Sequence, residues 1–219
     1  MKTLAILLAL LLSFATIGST ANENEYKRPL DLPSGGNGED EEDEEDEPET
    51  ILFYGGAYEG DAFVWCLDKS CSMESEGKLD TLKAEVAAAV NSLSSRSEIG
   101  FVSFSSNIIV WRTIPMKSNP SNKLAAIAWI QSLVAAGGTI IGPPGIESLR
   151  IINLSNKRHK IMIVLSDGVP ADVTSAIANI TLANYKDIPI NTILIGDTIG
   201  AAFMQELAAL NDGTFRMLP

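Results

Sequence analysis

Asp68-Lys69-Ser70-Cys71-Ser72 sets one carboxylate and two hydroxyls at alternate positions of a five-residue stretch. Oxygen donors of this kind suit hard divalent cations, Mg²⁺, Mn²⁺ or Ca²⁺, and not zinc. Two later stretches carry matching chemistry. Gly137-Gly138-Thr139-Ile140-Ile141-Gly142 offers the hydroxyl of Thr139 from a glycine-rich loop that can approach closely. Ser166-Asp167-Gly168 offers a second carboxylate. His159 is the only histidine, so neither a His-based triad nor a His zinc site is available.

These groups need elements that bring them together. Asp68 follows Ala62-Phe63-Val64-Trp65-Cys66-Leu67, which is apolar on both faces and reads as a buried central strand. Asp167 follows a second such run, Ile161 to Leu165. In an open parallel sheet, ligands bind outside the carboxyl ends of the strands, where the strand order reverses. Two strands ending in Asp68 and Asp167 can therefore deliver both carboxylates to one crevice, with Thr139 reaching in from its loop. The order of elements agrees. Strand 61–67 precedes a helix at about 78–94, where Leu79, Leu82, Val86, Val90 and Leu93 recur at helical spacing. Strands at 98–104 and 107–114 follow, then a helix at 121–134. A helix at 143–153 carries Pro143 and Pro144 in its first turn. Strand 159–165, helix 173–184, strand 189–195, helix 199–210 and strand 214–217 complete the series. Alternation of this kind implies an α/β fold, doubly wound, with a mostly parallel sheet, one antiparallel edge strand and helices on both faces. Trp65, Trp111 and Trp129 fall on these elements and read as core. Glu74 and Glu76 read as acids favouring the positive end of the first helix. Cys66 and Cys71 read as free, mostly shielded thiols.

The formal net charge of −12 is uneven along the 219 residues. Glu39 through Glu49 holds ten carboxylates interrupted only by Pro48, whereas Thr50 onward carries 15 acidic and 13 basic residues. The nearly neutral part offers no basic patch for a nucleic acid. Residues 1–21 read as a cleavable signal peptide: Lys2, an apolar Leu4 to Leu12, then Ser19-Thr20-Ala21. Residues 22–49 read as a disordered acidic linker and 50–219 as the folded domain. The expected location is secreted or periplasmic, with no lasting membrane insertion after cleavage.

The three loops together resemble the metal-ion-dependent adhesion site of von Willebrand factor type A domains. That family's pattern is D-x-S-x-S, a Thr in a G-G-T-like loop and an Asp in a T-D-G-like loop. Asp68, Ser70, Ser72, Thr139 and Asp167 fill its five positions, with Ser166 where many members have Thr and Cys71 where Gly is common. The resemblance covers residues 60–219, and Leu207 to Phe215 looks like the family's closing helix, turn and last strand. It implies Mg²⁺ or Mn²⁺ (Ca²⁺ possible) held directly by Ser70 and Ser72, directly or through water by Thr139, and mostly through water by Asp68 and Asp167. It also implies a protein partner presenting an Asp or Glu to the ion, hence a binding or adhesion module and not an enzyme. Two alternatives stand beside it. One is a vestigial scaffold without metal. The other is a phosphotransferase with Asp68 as nucleophile, against which Ser70 occupies the place of the second Asp in haloacid dehalogenases.

Overall fold

The computed structural model describes residues 47–196 and 198–219. The segment read as a signal peptide and the acidic run through Asp46 lie outside the described residues. The chain first forms a hairpin, β1 (Glu49–Phe53) and β2 (Gly56–Gly60). The main sheet then takes β3 (Ala62–Asp68), β4 (Glu98–Phe104), β5 (Ile108–Val110), β6 (Met116–Lys117), β7 (Lys160–Ser166), β8 (Ile190–Ile195) and β9 (Phe215–Leu218). The helices are α1 (Lys78–Ser92), α2 (Pro120–Gln131), α3 (Gly142–Asn153), α4 (Val173–Ala183) and α5 (Ala201–Ala209).

The strand order is β5-β4-β3-β7-β8-β9, with β6 also pairing with β4. Strands β4, β3, β7, β8 and β9 run parallel. The chain steps from β3 outward to β4, then returns to the other side of β3 to lay down β7. The order therefore reverses between β3 and β7, and their carboxyl ends flank the crevice that such sheets use for ligands. The antiparallel edge expected at 107–114 is present but split. Ile108–Val110 pairs with Val102–Phe104, and Met116–Lys117 pairs with Glu98–Ile99. Between them Trp111 leaves the strand, donates its amide to the Phe101 carbonyl at 3.0 Å and buries its ring against that of Phe101.

Period-two alternation assigns each strand residue to one of two cores. Phe63, Trp65 and Leu67 of β3 join Ile161, Ile163 and Leu165 under α1, α2 and the β1–β2 hairpin. Ala62, Val64 and Cys66 join Met162 and Val164 under α3, α4 and α5. The aromatic centre lies in the first core, where Trp65 stacks on Phe101 at 4.9 Å and on Phe63 at 5.7 Å between ring centroids.

The β1–β2 hairpin is the element that the sequence pattern does not announce. Glu49, placed by composition at the end of the acidic linker, is instead the first residue of β1. Its carboxylate accepts from the Ser94 amide at 2.7 Å and from the Ser97 hydroxyl at 2.7 Å. Ile51 and Phe53 are fully buried against the first core. Phe53→Ala should therefore cost about 3–5 kcal/mol of stability, the range for emptying a buried aromatic site. Chemical denaturation checks this, and a loss within experimental error of zero would mean that the hairpin is peripheral.

Candidate metal site

Asp68 is the last residue of β3 and is completely buried. Asp167 directly follows β7, and its side chain is likewise buried. Two carboxylates at adjacent strand ends in a dry place repel each other and lose hydration, so the local chain is arranged to offset both costs. One Asp68 oxygen accepts from the Ser70 amide at 2.6 Å, and the other accepts from the Ser166 hydroxyl. Burial pushes the Asp68 pKa above the usual carboxylate range. The Ser166 and Ser70 hydrogen bonds pull against that shift, and the charge of Asp167 adds to it.

The two aspartates are joined through the serines. Ser70 Oγ lies 3.1 Å from Ser72 Oγ, and the Ser72 hydroxyl donates to Asp167 Oδ1 at 2.7 Å. Asp68, Ser70, Ser72 and Asp167 thus form one continuous hydrogen-bonded chain that spans two loops distant in sequence. Ser70 is buried, while Ser72 opens to solvent. Thr139 stands on a third loop held to the same place. Its carbonyl accepts from the Ala171 amide at 2.7 Å. Cys71 and Gly137 exchange two contacts, the Cys71 amide to the Gly137 carbonyl at 3.0 Å and the Gly137 amide to Cys71 Sγ at 3.1 Å. Gly137 adopts a φ of 84°, a left-handed conformation that costs a glycine little. Among the described residues, no hydrogen bond joins the Thr139 hydroxyl to the other four groups.

Four participants have roles that the sequence alone does not assign to them. Ser166 satisfies Asp68 as described. Lys78 places its ammonium 3.0 Å from Asp167 Oδ2, so both oxygens of that carboxylate are engaged. Asp172 reaches across to accept the amides of Ile141 and Gly142 at 3.0 and 2.8 Å. In this way it caps α3, which has no cap from its own N-terminal residue, and fixes the exit of the Thr139 loop. Lys69, buried beneath the loop, donates to Ser105 Oγ at 3.1 Å. Each is recognisable only once the fold has brought distant residues together.

Two sequence expectations change. Glu74 and Glu76 belong to a 3₁₀ segment, Cys71–Gly77, in which Glu76 is left-handed with φ 57°. The acid in the first turn of α1 is Asp80. Cys71 is exposed and not shielded; Cys66 is buried, and both thiols are free.

Among the described residues, no three His, Cys, Asp or Glu side chains gather as a metal cluster. The available donors are two carboxylates and three hydroxyls, a set that fits a hard divalent ion better than a thiolate or imidazole one. His159, the obvious general base, lies at the other end of β7. There its Nδ1 meets Asp61 Oδ2 at 2.9 Å, roughly 25 Å of extended chain away from Asp167.

The topology agrees with the comparisons. The von Willebrand factor type A domain family matches residues 63–217. The chain belongs to that family, whose members are commonly adhesion or protein-interaction modules. It is similar to the human von Willebrand factor A domain-containing protein 3B, 27% identical over 163 residues, which are 73% of this chain and 12% of that protein. This chain therefore matches only a small part of that relative's length. Its fold matches that of a von Willebrand factor type A protein from Catenulispora acidiphila (TM-score 0.69, 20% identity, 74% of this chain and 40% of the other). It also matches that of proximal thread matrix protein 1 from the mussel byssus with a zinc-occupied MIDAS motif (TM-score 0.60, 15% identity, 78% and 46%).

Burial pushes the Cys66 thiol up to about 12, so it stays protonated and inert at neutral pH. A maleimide or iodoacetamide reagent should therefore modify one thiol in the native protein, Cys71, and a second only after denaturation. Mass spectrometry of the labelled chain reads this directly. Rapid labelling of both thiols under native conditions would contradict the buried position of Cys66.

Proposed function

We propose that Asp68, Ser70, Ser72, Thr139 and Asp167 hold one divalent cation, Mg²⁺ or Mn²⁺ with Ca²⁺ as the alternative, and that a protein partner docks on it through an Asp or Glu side chain. The observation that carries this reading is the run of contacts at the reversal of strand order, from Asp68 to the Ser70 amide, from the Ser70 hydroxyl to that of Ser72, and from Ser72 to Asp167. The zinc-occupied motif of the mussel byssus protein supports a divalent ion at such a site. When bound, the cation supplies an electrophilic contact point for an incoming carboxylate.

The chain's own residues divide the work. Ser70 and Ser72 offer hydroxyl oxygens at the mouth of the crevice, and Thr139 offers a third from the facing loop. Asp68 and Asp167 balance the charge and orient those hydroxyls. The surrounding surface suits a protein contact. Val169 and Ile199 are 43% and 70% exposed, on segments after β7 and β8 whose backbones meet where a Cβ on Gly200 would stand 2.6 Å from the Gly168 carbonyl. Exposed apolar residues of this kind give a partner something to bury.

The surroundings of the oxygens support binding over catalysis. A nucleophilic Asp68 is disfavoured because its carboxylate is buried with both oxygens accepting hydrogen bonds. The lone histidine is too far away to serve as base. Export through the signal segment at 1–21, with the acidic linker between it and the domain, completes the proposal as a secreted or periplasmic module. No helix among the described residues is long and apolar enough to cross a membrane.

A scaffold that needs no metal has one observation in its favour, since Lys78 already neutralises Asp167. Calorimetry separates the readings. Mn²⁺ or Mg²⁺ titrated into the full chain should bind at one site. Asp68→Asn, which keeps a hydrogen-bonding group in the buried position, should remain folded by circular dichroism and lose at least about tenfold in affinity. Equal affinity in the folded variant would remove Asp68 from the site, and no binding by the wild type would leave the scaffold reading.

A further inference from the structure

Lys78 stands where ordinary helix chemistry would not put it. It is the first residue of α1, and a helix N-terminus favours negative charge. The preceding Gly77 is left-handed and provides no side-chain cap. The ammonium nevertheless turns inward, with only 15% of the side chain exposed, to reach Asp167 Oδ2 at 3.0 Å. A glycine makes room for it: a Cβ on Gly196 would stand 3.2 Å from Nζ. The lysine is therefore seated and directed, and its target is one of the two carboxylates assigned above to a divalent ion.

We propose that Lys78 is a resident counter-ion that competes with the metal for Asp167 and so sets how much divalent cation the site requires. This rests on the reading of the site as a metal site. Without metal, the ammonium neutralises Asp167 while Ser72 holds its other oxygen, so the crevice stays charge-balanced and folded. With metal, two positive groups would share one carboxylate at close range, and their repulsion is lost only if the ammonium withdraws. A route for it exists. Lys78 also lines a cleft of 370 Å³ together with Thr81, Glu76 and Glu85. Rotation about the flexible lysine stem carries the ammonium from Asp167 toward those two carboxylates, which can pair with it there. Metal binding and the Lys78–Asp167 pair are thus mutually exclusive, and by linkage whatever stabilises the pair weakens the metal by the same factor.

The test uses the full chain, MnCl₂ and MgCl₂ in calorimetry, and thermal unfolding with and without metal. Lys78→Met removes the charge and keeps the apolar stem; Lys78→Arg retains the charge; Lys78→Gln keeps a hydrogen-bond donor without the charge. Lys78→Met and Lys78→Gln should bind metal about tenfold more tightly than wild type. Lys78→Arg should stay near wild type. In chelator, Lys78→Met should melt below wild type, and saturating Mn²⁺ should close most of that gap; a Met variant that folds only with Mn²⁺ supports the inference equally. A purely structural lysine would lower the melting temperature without tightening metal binding. Unchanged or weaker metal affinity in both uncharged variants, with wild type binding normally, overturns the role of Lys78 and leaves the metal site intact. Failure of wild type and all variants to bind either ion overturns the metal reading itself and the inference with it.

Discussion

The structure turns on placing two carboxylates at neighbouring strand ends where little water reaches them. Asp68 and Asp167 end up there because β3 and β7 are adjacent, parallel and apolar over Ala62–Leu67 and Ile161–Leu165. The same topology that creates the crevice also removes hydration from its acids. Everything local can be understood as an answer to that cost. The Ser70 amide and Ser166 hydroxyl satisfy Asp68, and Ser72 and Lys78 satisfy Asp167. The compensation is polar and directional. It therefore dictates the path of the loop after β3 as firmly as hydrophobic packing dictates the strands.

That demand extends outward through the loops. The path after β3 is closed against the Thr139 loop by the paired contacts of Cys71 and Gly137. The Thr139 loop is closed in turn against the segment after β7 by Ala171 and Asp172. Asp172 shows how one residue serves two levels. Its carboxylate satisfies the orphan amides at the start of α3, a local requirement of any helix. Because it comes from the start of α4, it also fixes the spacing between two of the three loops of the site. An electrostatic need at two strand ends thus becomes a geometric constraint on chain segments a hundred residues apart.

The legible part of this fold is the part with strong periodicity. β3, β4, β7 and β8 carry near-continuous apolar runs, and α1 has leucines and valines at helical spacing, so their positions were readable to within a residue or two. The five oxygen residues stand out in the sequence because three separate loops offer only oxygen donors; alternate Asp and Ser after a buried strand would say little alone. The β1–β2 hairpin was not, because Glu49 belongs compositionally to the acidic run, and the short strands are interrupted by Gly55, Gly56 and Gly60. The 107–114 strand was read too long because its apolar residues continue through Trp111, whose ring turns into the core and ends the pairing. The roles of Lys78, Ser166 and Asp172 were invisible for a different reason. Each acts on a residue tens of positions away, and nothing in its own neighbourhood distinguishes it from a surface lysine, a strand-end serine or a loop aspartate.

The same reasoning explains why the site is asymmetric. Asp68 is sealed on both oxygens by groups that are themselves fixed, an amide and a buried hydroxyl, so its environment can change little without unfolding the end of β3. Asp167 is held by side chains alone, the exposed Ser72 and the long-stemmed Lys78. Rearrangement in response to a ligand therefore has to occur on the Asp167 side. Lys78 lies at the junction between the crevice and the cleft beside α1, so a change at Asp167 is felt there first. α1 in turn packs along the aromatic core through Leu82, Val86 and Val90. The rigid half of the site is tied to the sheet and the adaptable half to the start of a helix. This is the division expected of a surface that must hold its oxygens in register while exchanging what they hold.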